Sequence, residues 1–134
     1  MTESATTAAV AAQYYEAMSA GDIPTATGLF APDIAWHQPG ANRFSGVRES
    51  AAAVGAMIGG QMDVSEGTFA LEFTGGPMVN GDLAAFPVRF SGEREGASMS
   101  MDGIDVLRVA DGRIAEMWLF SADQEAEDAF WGQA

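Results

Sequence analysis

The 134-residue chain carries nineteen acidic side chains against six basic ones and a single histidine, a formal net charge of −13. That balance opposes binding to phosphate backbones and anionic membranes, so neither nucleic acid nor a membrane is expected as a partner. The absence of cysteine removes disulfides, thiolate chemistry and zinc-thiolate sites, and the length suits one domain over residues 1–134 that buries about two thirds of its unfolded surface.

No apolar run approaches the ~18 residues of a membrane span, and the start MTESATTAAV lacks the basic opening of a secretion signal, so a cytoplasmic location is expected. Residues 5–20 are alanine-rich, with Val10, Tyr14, Tyr15 and Met18 at helical spacing, and Gly21 ends the run. Asp22 can cap a second short helix over Ile23–Phe30, with Pro24 tolerated in its first turn, until Ala31-Pro32-Asp33 breaks it. Ile34–His37 is a short strand candidate cut off by Gln38-Pro39-Gly40, and Ala41–Gly46 reads as a loop. Val47–Met62 repeats its apolar residues at helical spacing, and Gly59-Gly60 are expected to end that third helix.

Thr68–Phe73 and Leu83–Phe90 read as strands joined across the turn-rich segment GGPMVNGD. Two further β-type runs flank Ala110-Asp111-Gly112, and an Asp-Gly between alternating apolar runs is a strong hairpin signal. Side chains alternate across a strand, so Met99, Met101, Gly103, Asp105, Leu107 and Val109 share one face of the hairpin's first strand. Met117 and Leu119 lie opposite Glu116, Trp118 and Phe120 in the second. Both hairpin faces hold apolar residues, so the sheet is expected to be covered on both sides. The acidic tail reads as a short solvated helix with Phe130 and Trp131 available for packing.

Helices followed by a meandering sheet define an α+β domain whose sheet curls into a cone. Its open mouth would be lined by methionine, phenylalanine and leucine, which favours an apolar small molecule. Asp105 is the anomaly on the apolar face. If buried and unpaired it would sit neutral; the alternatives are a surface carboxylate or a partner such as Arg89 or Arg43. Tyr14 can equally be an ordinary core tyrosine, and His37 a structural histidine packed with Trp36. With one histidine and no carboxylates at ligand spacing around it, no metal site is expected.

The order of elements, with AMSAGD, the WHQPG corner, FSGVRES and DVLRVADGRIAEMW, resembles the NTF2-like superfamily over essentially the whole chain. Within it the sequence is most similar to SnoaL-like polyketide cyclases and ketosteroid isomerase-like proteins. The resemblance implies a cone of three N-terminal helices packed on a curved, mostly antiparallel sheet around a deep apolar pocket. It also implies a cofactor-independent isomerase or cyclase that moves a proton on an apolar carbonyl compound; a non-catalytic binder or dimerisation module is the alternative. Tyr14, seven residues before Gly21-Asp22, matches the family's helix-one oxyanion donor, and Asp105, before the Leu107-Arg108-Val109 step, matches its protonated aspartic acid.

Gln38 stands where the isomerases keep their aspartate base, which leaves His37 as the neighbouring proton carrier. Strand parity opposes that role unless proline and glycine turn His37 inward. The Asp-Arg-Asp set of the fold's epoxide hydrolases falls on Phe86, Val88 and Leu119, and the cyclase base also falls on Leu119, with Asp123 as a partial substitute. Trp36, Gln38, Asn42, Phe86, Val88, Met101, Met117 and Leu119 are the expected substrate-contacting residues. A homodimer paired through the outer sheet face, using Trp118, is the assembly the resemblance implies.

Overall fold

A computed structural model of the chain describes residues 2–133. Two helices come first, α1 (Glu3–Ser19) and α2 (Ile23–Thr27), followed by strands β1 (Phe30–Gln38) and β2 (Gly46–Arg48) and helix α3 (Ala51–Val64). Then come β3 (Ala70–Phe73), β4 (Met78–Asn80), β5 (Leu83–Arg94), β6 (Ala97–Ala110), β7 (Arg113–Ser121) and α4 (Gln124–Trp131). The sheet runs β2-β1-β7-β6-β5-β3, with β4 paired to β5, and only the β1–β7 pairing is parallel. This is the α+β architecture read from the sequence, a curved and unclosed sheet with helices against one side.

Local chemistry sets the boundaries. The Thr2 hydroxyl accepts from the Ala5 amide at 3.1 Å to start α1, and Asp22 accepts from the Thr25 amide at 3.2 Å to start α2. The third helix begins later than its apolar spacing suggests. Val47 and Arg48 pair with His37 and Trp36 as β2, and Ser50 caps α3 by accepting from the Ala53 amide at 3.1 Å. Gly59 and Gly60 do not end this helix; they lie inside it, and Gly60 leaves room for the Phe44 ring. The second helix is shorter than expected, because the chain turns extended at Phe30 and the first strand runs from there through Gln38.

The hairpin forms at Asp111-Gly112, whose φ values of 52° and 73° are the paired positive values of a type I′ turn. Burial alternates along β6 with Met99, Met101, Gly103, Asp105, Leu107 and Val109 inside, the face that the alternation predicts. Within this chain Ile104 and Phe120 are exposed on the other face, and Arg89 pairs with Asp102 across it at 3.0 Å. Among the described residues no helix is long and apolar enough to cross a membrane.

Helix α4 closes one flank of the cone. Trp131 meets the Phe44 and Phe69 rings edge-on, at 5.1 and 5.4 Å between centroids, and Phe130 packs over Gly92. Helix α1 closes another flank, where Tyr14 lies among Phe30, Phe73 and Phe86 with ring centroids 5.9–6.2 Å away. Aromatic pairs of this kind add to the area they bury and hold the helices at a fixed distance from the sheet.

Candidate active site

Between the helices and the inner sheet face lies a cavity of about 550 Å³. Its walls are mostly apolar, with Met18, Phe30, Trp36, Phe69, Phe90 and Leu119 among them, and its polar residues include Tyr14, Gln38, Gln61, Asp105, Ser121 and Glu127. Asp105 reaches it because β6 is regular between Phe86 of β5 and Leu119 of β7, which fixes its side chain on the inner face. Tyr14 reaches it from the buried stripe of α1 that also contains Val10, Ala11 and Ala17.

Asp105, Tyr14 and Gln61 are each 4% exposed, and among the described residues no hydrogen bond engages the Asp105 carboxyl, the Tyr14 hydroxyl or the Gln61 amide. Among the described residues no side-chain polar atom is both sealed off and unpaired. These three groups therefore keep their access to the cavity and present unused hydrogen-bonding capacity to it. Burial pushes the Asp105 carboxyl up to about 7, with the nearby Glu127 charge adding to the effect. Burial also raises the Tyr14 phenol above its ordinary value, assisted by Asp105, so the hydroxyl keeps its proton and remains a donor.

Gln61 and Glu127 are polar cavity residues that sequence reasoning missed, the latter because the acidic tail reads as a solvated helix face. Glu127 is 4% exposed and lines the cavity. Ser121 donates to its Oε1 at 2.7 Å, Gln124 to the same atom at 3.1 Å, and Trp131 Nε1 to its Oε2 at 3.2 Å. One signal was present: Glu127 precedes Phe130 and Trp131 by three and four residues, which places it on their face of the helix.

His37 lies outside this site. Its Nε2 is 2.7 Å from Glu116 Oε2, and its ring stacks on Trp118 at 5.4 Å and 1° between planes, on the outer side of the sheet. The hydrogen bond from His37, with help from Arg108 at 3.2 Å, lowers the Glu116 carboxyl below its usual range. The inward turn required for a catalytic His37 is corrected by simple parity. Trp36 and Gln38 face the cavity, and the strand stays regular through Gln38, so the residue between them points away.

Of the expected substrate-contacting residues, Trp36, Gln38 and Leu119 line the cavity. Trp36 Nε1 donates to Gln38 Oε1 at 3.0 Å. Phe86, Val88, Met101 and Met117 do not line it; they are buried on the same inner face of the sheet as Asp105, with Phe86 stacked on Phe73 at 4.9 Å. Asn42 is also placed elsewhere, donating to Asp128 at 2.8 Å and accepting from the Phe44 amide at 2.9 Å, which ties its loop to α4. Asp123 cannot stand in for a cyclase base, because it caps α4 by accepting from the Ala126 amide at 3.1 Å and is exposed.

An open curved sheet wrapped on helices around a mostly apolar cavity with an acid and a phenol inside defines the class, an NTF2-like fold. Within that class the chain belongs to the SnoaL-like domain family, whose model matches residues 11–117. It is 29% identical over 118 residues to the uncharacterised protein Rv0034 of Mycobacterium tuberculosis, spanning 87% of this chain and 89% of that one. A protein of unknown function with a cystatin-like fold from Xanthomonas campestris is 45% identical, with a TM-score of 0.85 over 94% of this chain and 98% of that one. In fold the chain is also similar to an NTF2-like protein of Burkholderia xenovorans (15% identity, TM-score 0.73, 98% and 100% covered). Another fold neighbour is IdmH, a candidate polyketide cyclase from Streptomyces antibioticus (24% identity, TM-score 0.64, 87% and 91% covered).

Proposed function

We propose that the chain is a cofactor-independent isomerase or cyclase that moves a proton on an apolar carbonyl compound, with Asp105 carrying the proton and Tyr14 holding the oxygen. The observation that carries this reading is an aspartic acid and a phenol, neither hydrogen-bonded among the described residues, facing one mostly apolar cavity. Family membership supports it, and a candidate polyketide cyclase shares the fold.

An acid that titrates near neutrality suits proton transfer in both directions. The ionised Asp105 takes a proton from the carbon beside the substrate carbonyl, and the electron pair moves onto oxygen as an enolate. Tyr14 donates a hydrogen bond to that oxygen, and the apolar walls exclude the water that would weaken it. Asp105, now the acid, returns the proton to another carbon of the conjugated system, which completes an isomerisation. In a cyclisation the enolate carbon attacks a second carbonyl of the same molecule and Asp105 protonates the alkoxide.

The second reading is a container for an apolar molecule. It is favoured by Gln38, an amide at the position where the resemblance implies a carboxylate base, and by His37 lying on the other face. Binding of 2-naphthol, a flat enolate mimic, separates the two readings. Titration calorimetry at pH 6 should show about tenfold weaker binding for both Tyr14→Phe and Asp105→Leu, because each removes a donor to the oxygen. Wild-type affinity in both variants leaves the container.

A further inference from the structure

Among the described residues the cavity holds two acidic side chains and no cationic one. Asp105 and Glu127 both line it, and no arginine, lysine or histidine does. All six basic residues of the chain are arginines, and each is committed elsewhere. Arg43 donates to the Gln133 carbonyl at 3.0 Å, Arg48 to the Phe44 carbonyl, and Arg89 to Asp102 at 3.0 Å. Arg94 donates to the Phe130 carbonyl at 2.7 Å while its guanidinium lies over the Phe130 ring. Arg108 reaches Glu116 at 3.2 Å, and Arg113 the Gly28 carbonyl at 3.2 Å. The one histidine is bonded to Glu116 on the outer face.

Glu127 differs from Asp105 in being fixed. Three donors hold its two oxygens, so it cannot swing aside when a ligand enters. Gln61, 4% exposed and unpaired, offers a neutral amide to the same space. An anionic ligand entering here would lose its water, find no cation and meet a fixed carboxylate in a low-dielectric setting, where like charges repel far more than in water. A neutral ligand avoids this cost, and a cationic one gains from both acids.

We propose that this cavity selects uncharged or positively charged apolar molecules and rejects carboxylates and phosphates, with Glu127 the fixed charge that enforces the choice. The proposal deepens the proton-transfer reading by restricting its substrate class, and it rests on that reading only for the use of the same cavity. A substrate with an acid group must therefore arrive with that group esterified or removed, so the reaction supplying it is an esterification or a decarboxylation.

Three probes of one shape test it: methyl 2-naphthoate, 2-naphthylmethylammonium and 2-naphthoate, titrated at pH 8 against the fluorescence of Trp36, which lines the cavity. The ester and the ammonium should each bind at least ~10-fold more tightly than the carboxylate, a gap of about 1.4 kcal/mol or more. Glu127→Gln keeps the shape of the side chain and should narrow both gaps several-fold, by improving carboxylate binding and weakening ammonium binding while ester binding stays unchanged. Carboxylate affinity within threefold of the ester in the wild type overturns the proposal, whether or not the variant folds, as does failure of all three probes to bind. A gap that survives Glu127→Gln undiminished overturns the role of Glu127. Failure of the proton-transfer reading looks different, with selectivity kept while 2-naphthol binds equally to wild type, Tyr14→Phe and Asp105→Leu.

Discussion

Asp105 is buried among apolar neighbours with no hydrogen-bond partner among the described residues, and burial raises its carboxyl to about 7. The same carboxyl in the unfolded chain titrates near ~3.9. Between those values the folded state binds the additional proton, so stability falls as pH rises from about 4 to 7, and the whole cost is present above 7. Three pKa units correspond to a cost on the order of 4 kcal/mol. Asp105→Asn cannot ionise and should unfold at a higher urea concentration than wild type at pH 8, with the difference shrinking toward pH 4. A difference that does not change with pH contradicts this account. Alternation along β6 made Asp105 legible in the sequence, as helical spacing made Tyr14 legible. The same alternation argued against His37, and the structure sides with the alternation: Pro39 and Gly40 bend the chain only after Gln38, too late to turn the histidine.

At the scale of elements, the long strands β5, β6 and β7 and their hairpin were readable because side-chain period and turn chemistry are local signals, whereas β4 (Met78–Asn80) lies in a segment read as a turn and is defined by its pairing with β5. The start of α3 was harder to read, because Val47 and Arg48 fit the helical spacing yet find partners in β1, and such pairing is tertiary. Helix α4 was placed correctly while its role was not. Its acids look alike in composition, and only packing of the Phe130–Trp131 face separates the buried Glu127 from its exposed neighbour Glu125. The pairing of β6 with β7 depends on Gly103, where an added Cβ would stand 2.6 Å from the Phe120 carbonyl and 3.0 Å from the Phe90 ring. The carbonyl belongs to the paired strand and cannot swing away. Gly103→Ala should therefore cost ~1–3 kcal/mol, lowering the thermal midpoint by several degrees. A wild-type midpoint would show that the two strands are less tightly coupled than their geometry implies.

For the whole molecule, the net charge of −13 and the acidic cavity act together: the exterior repels anions and the interior offers them no cation. The cone itself came from the order of helices and strands, whereas the contents of its cavity depended on which residues of distant elements meet. Tyr14 of α1, Asp105 of β6 and Glu127 of α4 are separated by long stretches of chain, and no local pattern brings them together. The account requires that this assembly hold Asp105 as an acid exchanging its proton near neutrality. Carboxyl ¹³C resonances followed by NMR from pH 3 to 9, with Asp105 assigned by its loss in Asp105→Asn, read that property directly. A midpoint of about 7 is expected for Asp105; a midpoint near the ordinary ~3.9 of a solvated aspartate would contradict proton exchange near neutrality.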